Sequence, residues 1–270
     1  MRLMLIGGAT LLALILAGVF VSMRDGPPQA VVESHSEEDA AVAETSVDSV
    51  DPLLIARGDE VFLAEAEPLA RQFLEATSVE EILPVVRAPA KTEPRIRGFY
   101  PDGKINAAGL SGFNLNNQVS IFDKVAMVMV RTGEYEDRLL AFVETPEGLK
   151  IDWESWVGWS ELPWQEFTSS KPATGHLFRV VLSPVEYYNF SFGDESKWQS
   201  YRLEAPDRHY ALYGYAPRGS VLSQQVRPPG DSKRVALTLL LKFPAGAESN
   251  TQVEIESLLA EGWVEGVDAP

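Results

Sequence analysis

Cysteine is absent from all 270 residues, which removes disulfides, thiol nucleophiles and thiolate metal sites together. Its absence is compatible with an oxidising compartment. Histidine is nearly absent too: His35, His176 and His209 are the only three. None pairs with another at the helical spacing that zinc-binding motifs use, and no twelve-residue calcium loop occurs. The sequence therefore predicts no metal site and no cofactor. Gly214 and Gly219 flank Arg218, but phosphate-loop spacing is missing. Positive charge is also scarce, with 23 basic against 39 acidic side chains and a net charge of −16. Nucleic acid is excluded as an expected partner, because binding a polyanion depends on clustered Lys and Arg. No basic amphipathic stretch is present that would lay the chain on anionic lipid.

What the sequence does have is an uncharged run, 3–23, bracketed by Arg2 and Arg24. As a helix it would reach about 30 Å, the thickness of a bilayer's hydrocarbon core. A cleaved signal peptide has a shorter apolar core of about 7–15 residues and small residues at its cleavage site. Neither feature is found here, so residues 1–24 are expected to form a retained signal-anchor helix, making the protein a single-pass protein of the cell membrane. Arg2 and the terminal amine outweigh Arg24, which Asp25 offsets, so the soluble part is placed on the periplasmic or extracellular side. Ala9, Ala13 and Ala17 recur every four residues on one face, a small-residue pattern through which two copies could pair as a homodimer.

Residues 25–51 combine eight acidic side chains with Ala, Val, Ser and Pro and no aromatic residue. Such a segment buries too little apolar surface to offset chain entropy and reads as a disordered acidic linker. Folded sequence begins near Pro52. Val61, Phe62, Ala66, Leu69, Phe73 and Leu74 have helical spacing, and Thr77 or Ser78 with Glu80 and Glu81 makes a capping pair for a second helix. Pro68 is expected to kink or restart the first helix and Pro89 to end the second. Residues 90–117, rich in Pro, Gly and Asn, read as an irregular connection. Runs at 119–131, 138–145 and 149–156 then read as an antiparallel meander. Further strands are expected at 177–183, 198–203, 209–215, 235–243 and 252–255, with short helical pieces at 163–168 and 184–189 and a closing helical turn at 257–261. The fold class is α+β: helices packed on a curved antiparallel sheet over 52–170, then a smaller β-rich domain over 171–270.

Two groups of side chains carry candidate chemistry. Trp153, Trp156, Trp159 and Trp164 supply four of the six tryptophans within a dozen positions. They either close a core where strand meets helix or form a ligand-binding surface for a sugar ring or peptide. Asp152 and Glu154 fall on one face of the last meander strand, about 6.5–7 Å apart. That spacing suits a catalytic carboxylate pair, and equally an exposed polar face. Tyr213, with Tyr187, Tyr188, Tyr210, Tyr215 and His209, is a further candidate lining for a pocket. Gly109-Leu110-Ser111-Gly112 lacks the strand-to-helix elbow of a nucleophilic serine.

The helix bearing Leu69-Ala70-Arg71-Gln72-Phe73-Leu74, followed by a meander ending Ile151-Asp152-Trp153-Glu154-Ser155-Trp156, resembles the nuclear transport factor two-like (SnoaL-like) cone fold over 52–167. The resemblance implies a cavity under the helices and no particular reaction, since that group spans isomerases, dehydratases, binding proteins and structural domains. The expected function is a membrane-anchored binding or assembly module with a protein partner and no identifiable catalytic activity. The alternative is a small-molecule-binding protein or a hydrolase- or isomerase-type enzyme with a cone-fold pocket.

Overall fold

A computed structural model describes residues 58–122 and 124–266 of the chain. The anchor at 3–23, the linker at 25–51 and the Ala9, Ala13, Ala17 face lie outside the described residues. No helix among those described is long and apolar enough to cross a membrane.

Helix α1 runs unbroken over Asp59–Glu75, with Phe62, Ala66, Ala70, Phe73 and Leu74 along its buried stripe. Pro68 does not interrupt it, contrary to the sequence expectation. The proline sits on the exposed side, where the carbonyl it leaves unpaired can turn to solvent, while apolar burial continues on both sides of it. The second helix, α2, is only Val79–Ile82; the Glu81 carboxylate accepts the Thr77 backbone N–H at 2.7 Å, but the N-cap Ser78 makes no side-chain bond, so half of the expected capping pair forms.

The expected irregular connection contains a helix instead. Helix α3, Pro89–Phe99, starts rather than stops at its first proline, because a proline at the first helical position lacks only an N–H that would have no partner there. Ala88 enters it with a left-handed φ of 45°, and Thr92 and Ile96 are its buried residues.

Strands β1 (Gly112–Phe113), β2 (Val119–Phe122), β3 (Val125–Arg131), β4 (Asp137–Thr145) and β5 (Gly148–Ile151) make a curled antiparallel sheet. The run read as one strand over 119–131 is a tight β2–β3 hairpin, with Phe122 opposite Val125. The inward residues Ala126, Val128, Val130, Leu140, Phe142 and Ile151 form the first core with α1 and α2, where Phe62 meets Phe142 edge-on at 5.7 Å. The last meander strand is shorter than expected. It stops at Ile151, and α4 (Trp153–Val157) follows with Asp152 as its N-cap.

Helix α5 (Trp164–Ser170) belongs to the second core, packed with Phe178, Leu239 and Phe243 rather than with the first sheet. Around that core, β6 (His176–Pro184), β7 (Trp198–Glu204), β8 (Ala211–Pro217), β9 (Val235–Lys242) and β10 (Gln252–Glu261) close into a barrel ordered β10-β8-β7-β6-β9. A 3₁₀ turn, Phe190–Phe192, replaces the helical piece expected at 184–189, and a short α6 (Val221–Gln225) lies between β8 and β9. Strand β9 returns to lie beside β6, which gives the Greek-key order, and β8 and β10 run parallel. Five-stranded Greek-key barrels of the OB type share this architecture, which hosts many functions. The helical turn expected at 257–261 is a continuation of β10, whose two register shifts against β9 break the alternation a strand normally shows.

Residues 262–266 leave the barrel and return to the first unit. Val264 covers Val125, Ala141 and Val143 on the outer face of the curled sheet. This is why β4 is buried on both faces from Leu140 to Val143.

Candidate functional site

The chain first crosses between the two cores at 158–163, and these residues form the floor of an open cleft of about 610 Å³. One wall comes from α3 through Pro94, Arg95, Gly98 and Phe99; the other comes from the β7–β8 turn through Ala205, Pro206 and Asp207. Gly158 makes the crossing possible. It ends α4 with φ 63°, and a Cβ there would meet the Pro206 ring at 2.5 Å.

The cleft is lined with aromatic rings held from behind. Phe99 leans edge-on against the buried Trp153 at 5.5 Å yet stays 49% exposed. Trp164 packs on Phe178 at 4.9 Å and stacks with Tyr210, which remains 38% exposed. Trp159 lies on the floor with the Arg95 guanidinium 4.2 Å from its ring centroid. Tyr210 lies outside the lining; a half-exposed Phe99 in one wall above a floor that carries Trp159 is the sign of a recognition surface.

Behind this surface lies a buried ionic network. Glu154 accepts from Arg95 on one side and from Arg179 Nη2 at 2.8 Å on the other, so one carboxylate holds a residue of α3 and a residue of β6. Arg179 has no exposed surface; it also donates to the backbone oxygens of Trp159 at 2.8 Å and Trp263 at 2.7 Å. Arg95 and Arg179 thus both fix Trp159, one through its ring and one through its carbonyl, and both depend on Glu154. Asp152 pairs with Arg87 and accepts the Ser155 N–H at 2.6 Å. Arg87 Nη2 and Lys91 Nζ reach Glu265, the first to its backbone oxygen at 2.7 Å and the second to its carboxylate at 3.1 Å. Burial works to raise the Glu265 carboxyl, but Lys91, Arg179 and Arg95 outweigh it and hold the group below its ordinary value.

The sequence candidates separate on this geometry. Asp152 and Glu154 do not share a strand face: the first caps α4 and the second lies in its first turn. Both are buried, and each is held by arginine, so neither carboxylate is open to a substrate as a general acid or base. Trp159 and Trp164 line the cleft. Trp153 and Trp156 are in the first core; Arg138 lies over Trp156 at 3.8 Å from the ring centroid. Tyr213 is not part of the cleft. Its ring stacks on Tyr187 at 4.0 Å, while Tyr215 stacks on Phe192, so the tyrosines do not converge on one pocket. Burial pushes the Tyr215 hydroxyl up to about 12, and the hydroxyl donates to the Tyr187 carbonyl at 2.8 Å.

The space under the helices, between Phe73, Ile82, Tyr100, Trp153 and Trp156, measures only about 40 Å³. That is room for water but not for a ligand of ordinary size, whose sites take about 300–1,000 Å³. No group of three or more potential metal-ligating side chains occurs among the described residues. Sequence reading found Trp159 and Trp164 but missed Phe99, Arg95, Pro206 and Asp207. A signal for the arginines was present: Arg87 and Arg95 carry the charges that the acidic pair at 152 and 154 requires once buried. No family model, no curated protein and no solved structure matches this chain.

Proposed function

We propose that this protein is a membrane-anchored binding or assembly module whose recognition surface is the aromatic cleft between its two cores. The observation that carries this reading is the cleft itself: about 610 Å³, with half-exposed Phe99 on one wall and Trp159 on the floor, each braced by buried groups. Pre-organised aromatic faces bind with little further loss of conformational entropy. The anchor at 3–23 and the acidic linker at 25–51 would present the module away from the bilayer, outside the cytoplasm. The α1 and α2 helices over a curled sheet support a cone-like reading of the first unit, and the small space beneath them leaves no room there for a substrate.

A photo-crosslinking amino acid placed at Phe99 or Asp207 in the full chain, in membranes of the source cells, tests the assignment. A discrete adduct is expected from those positions and none from Val221, which is 70% exposed and outside the cleft. Equal labelling at all three, or none at any, refutes it. Because the chain has no cysteine, a single Val221→Cys variant also reports sidedness: labelling of intact cells by a membrane-impermeant maleimide is expected.

A further inference from the structure

We infer, resting on the cleft as the binding surface, that its occupant is an extended, proline-bearing peptide segment carrying at least one lysine or arginine. The apolar lining consists largely of flat, rigid rings: Pro94, Phe99, Trp159, Pro163, Trp164 and Pro206. Grooves lined in this way match the ridged surface of a polyproline II segment, which enters already extended and loses little entropy on docking. The charges select the polar part of the ligand. Arg95, the cation among the lining residues, is already committed to Glu154 and Glu265. Glu161 and Asp207 have half or more of their side-chain surface in solvent; Glu161 accepts the Leu177 N–H at 3.1 Å beside His176, Asp207 accepts the His209 N–H at 3.0 Å, and among the described residues no Lys or Arg pairs with either. A cationic side chain beside the proline finds an acceptor there and an aromatic face to lie on. An acidic or phosphorylated segment finds like charge, set in a chain of net charge −16.

The test is panning of a random peptide library displayed on phage against the full chain held in nanodiscs. Enriched sequences are expected to combine proline with Lys or Arg. Synthetic copies should lose at least tenfold in affinity on Phe99→Ala, and several-fold on the surface change Asp207→Lys, which disturbs no core. Enriched peptides that lack proline or basic residues, yet still lose affinity on Phe99→Ala, overturn this inference and leave the cleft as the binding surface. Peptides indifferent to both variants refute the cleft as well. No enrichment, or binding of neutral oligosaccharides on a glycan array with loss on Phe99→Ala, overturns the peptide assignment.

Discussion

Glu154→Gln tests the architecture at its most connected point. The substitution keeps size and one hydrogen-bonding oxygen but removes the charge shared by Arg95 and Arg179. Arg179 cannot recover by turning outward, since it has no exposed surface and is fixed to the carbonyls of Trp159 and Trp263. Removing one partner of a buried ion pair costs about 3–5 kcal/mol, a large part of a total stability of about 5–15 kcal/mol. For a folded part of this size, 1 kcal/mol corresponds to about 2–4 °C, so thermal unfolding of the full chain in detergent, followed by circular dichroism, should shift down by roughly 10 °C. The double replacement Glu154→Leu with Arg179→Met removes both buried charges and is expected to recover part of the loss, the remainder being the donor that the Trp159 and Trp263 carbonyls lose and the partner that Arg95 loses. A shift below about 3 °C for the single variant, in terms of the same conversion, would show that the buried pairs do not join the two cores.

Three further outcomes follow from local geometry. Gly158→Ala forces a left-handed residue and sets a methyl group against Pro206, with an expected cost of about 2–4 kcal/mol by chemical denaturation; Pro206→Ala in the same chain should return only the share due to Cγ, since its Cβ stays at 2.7 Å. Asp152→Ala removes the α4 cap, worth about 1 kcal/mol, and also strands the mostly buried Arg87, so its loss should reach about 3 kcal/mol, against near-neutrality for the exposed Glu147→Ala. The Glu265 carboxyl titrates below its ordinary value, so the stability it contributes is complete above about pH 4.3 and is lost as pH falls through the lower folded-state value. The protection of 262–266 against hydrogen exchange, taken relative to the intrinsic rate at each pH, should therefore fall on acidification in that range, and Glu265→Gln should leave protection low at every pH.

Most strands were legible because half-buried sheet leaves a two-residue alternation of apolar and polar side chains that survives without tertiary context. Where alternation failed, tertiary burial had overridden it. In β6 the outward Arg179 is as buried as its inward neighbours Phe178 and Val180, because the first unit covers that side of the barrel. In β10 two register shifts make an amphipathic stretch look like a turn of helix. Helix α3 escaped because Pro89, Pro94 and Gly98 are turn formers when counted locally, and only two of its residues, Thr92 and Ile96, are buried. The cleft was half legible. Its tryptophans cluster in the chain, but Phe99 and Pro206 come from about 50–60 positions away on either side of Trp159 and have no shared periodicity with it.

The return of residues 262–266 to the curled sheet has a mechanical consequence. Besides the Arg179–Glu154 pair, two stretches of chain attach the barrel to the first unit, covalently through 158–163 and again through Val264 and Glu265. A load applied at the barrel by a captured partner is then divided between two attachments set apart on the surface, so that it resists as torque what a single linker would yield as swivel. Removing a handful of residues after Glu261 would leave both cores in place and turn a braced joint into a hinge.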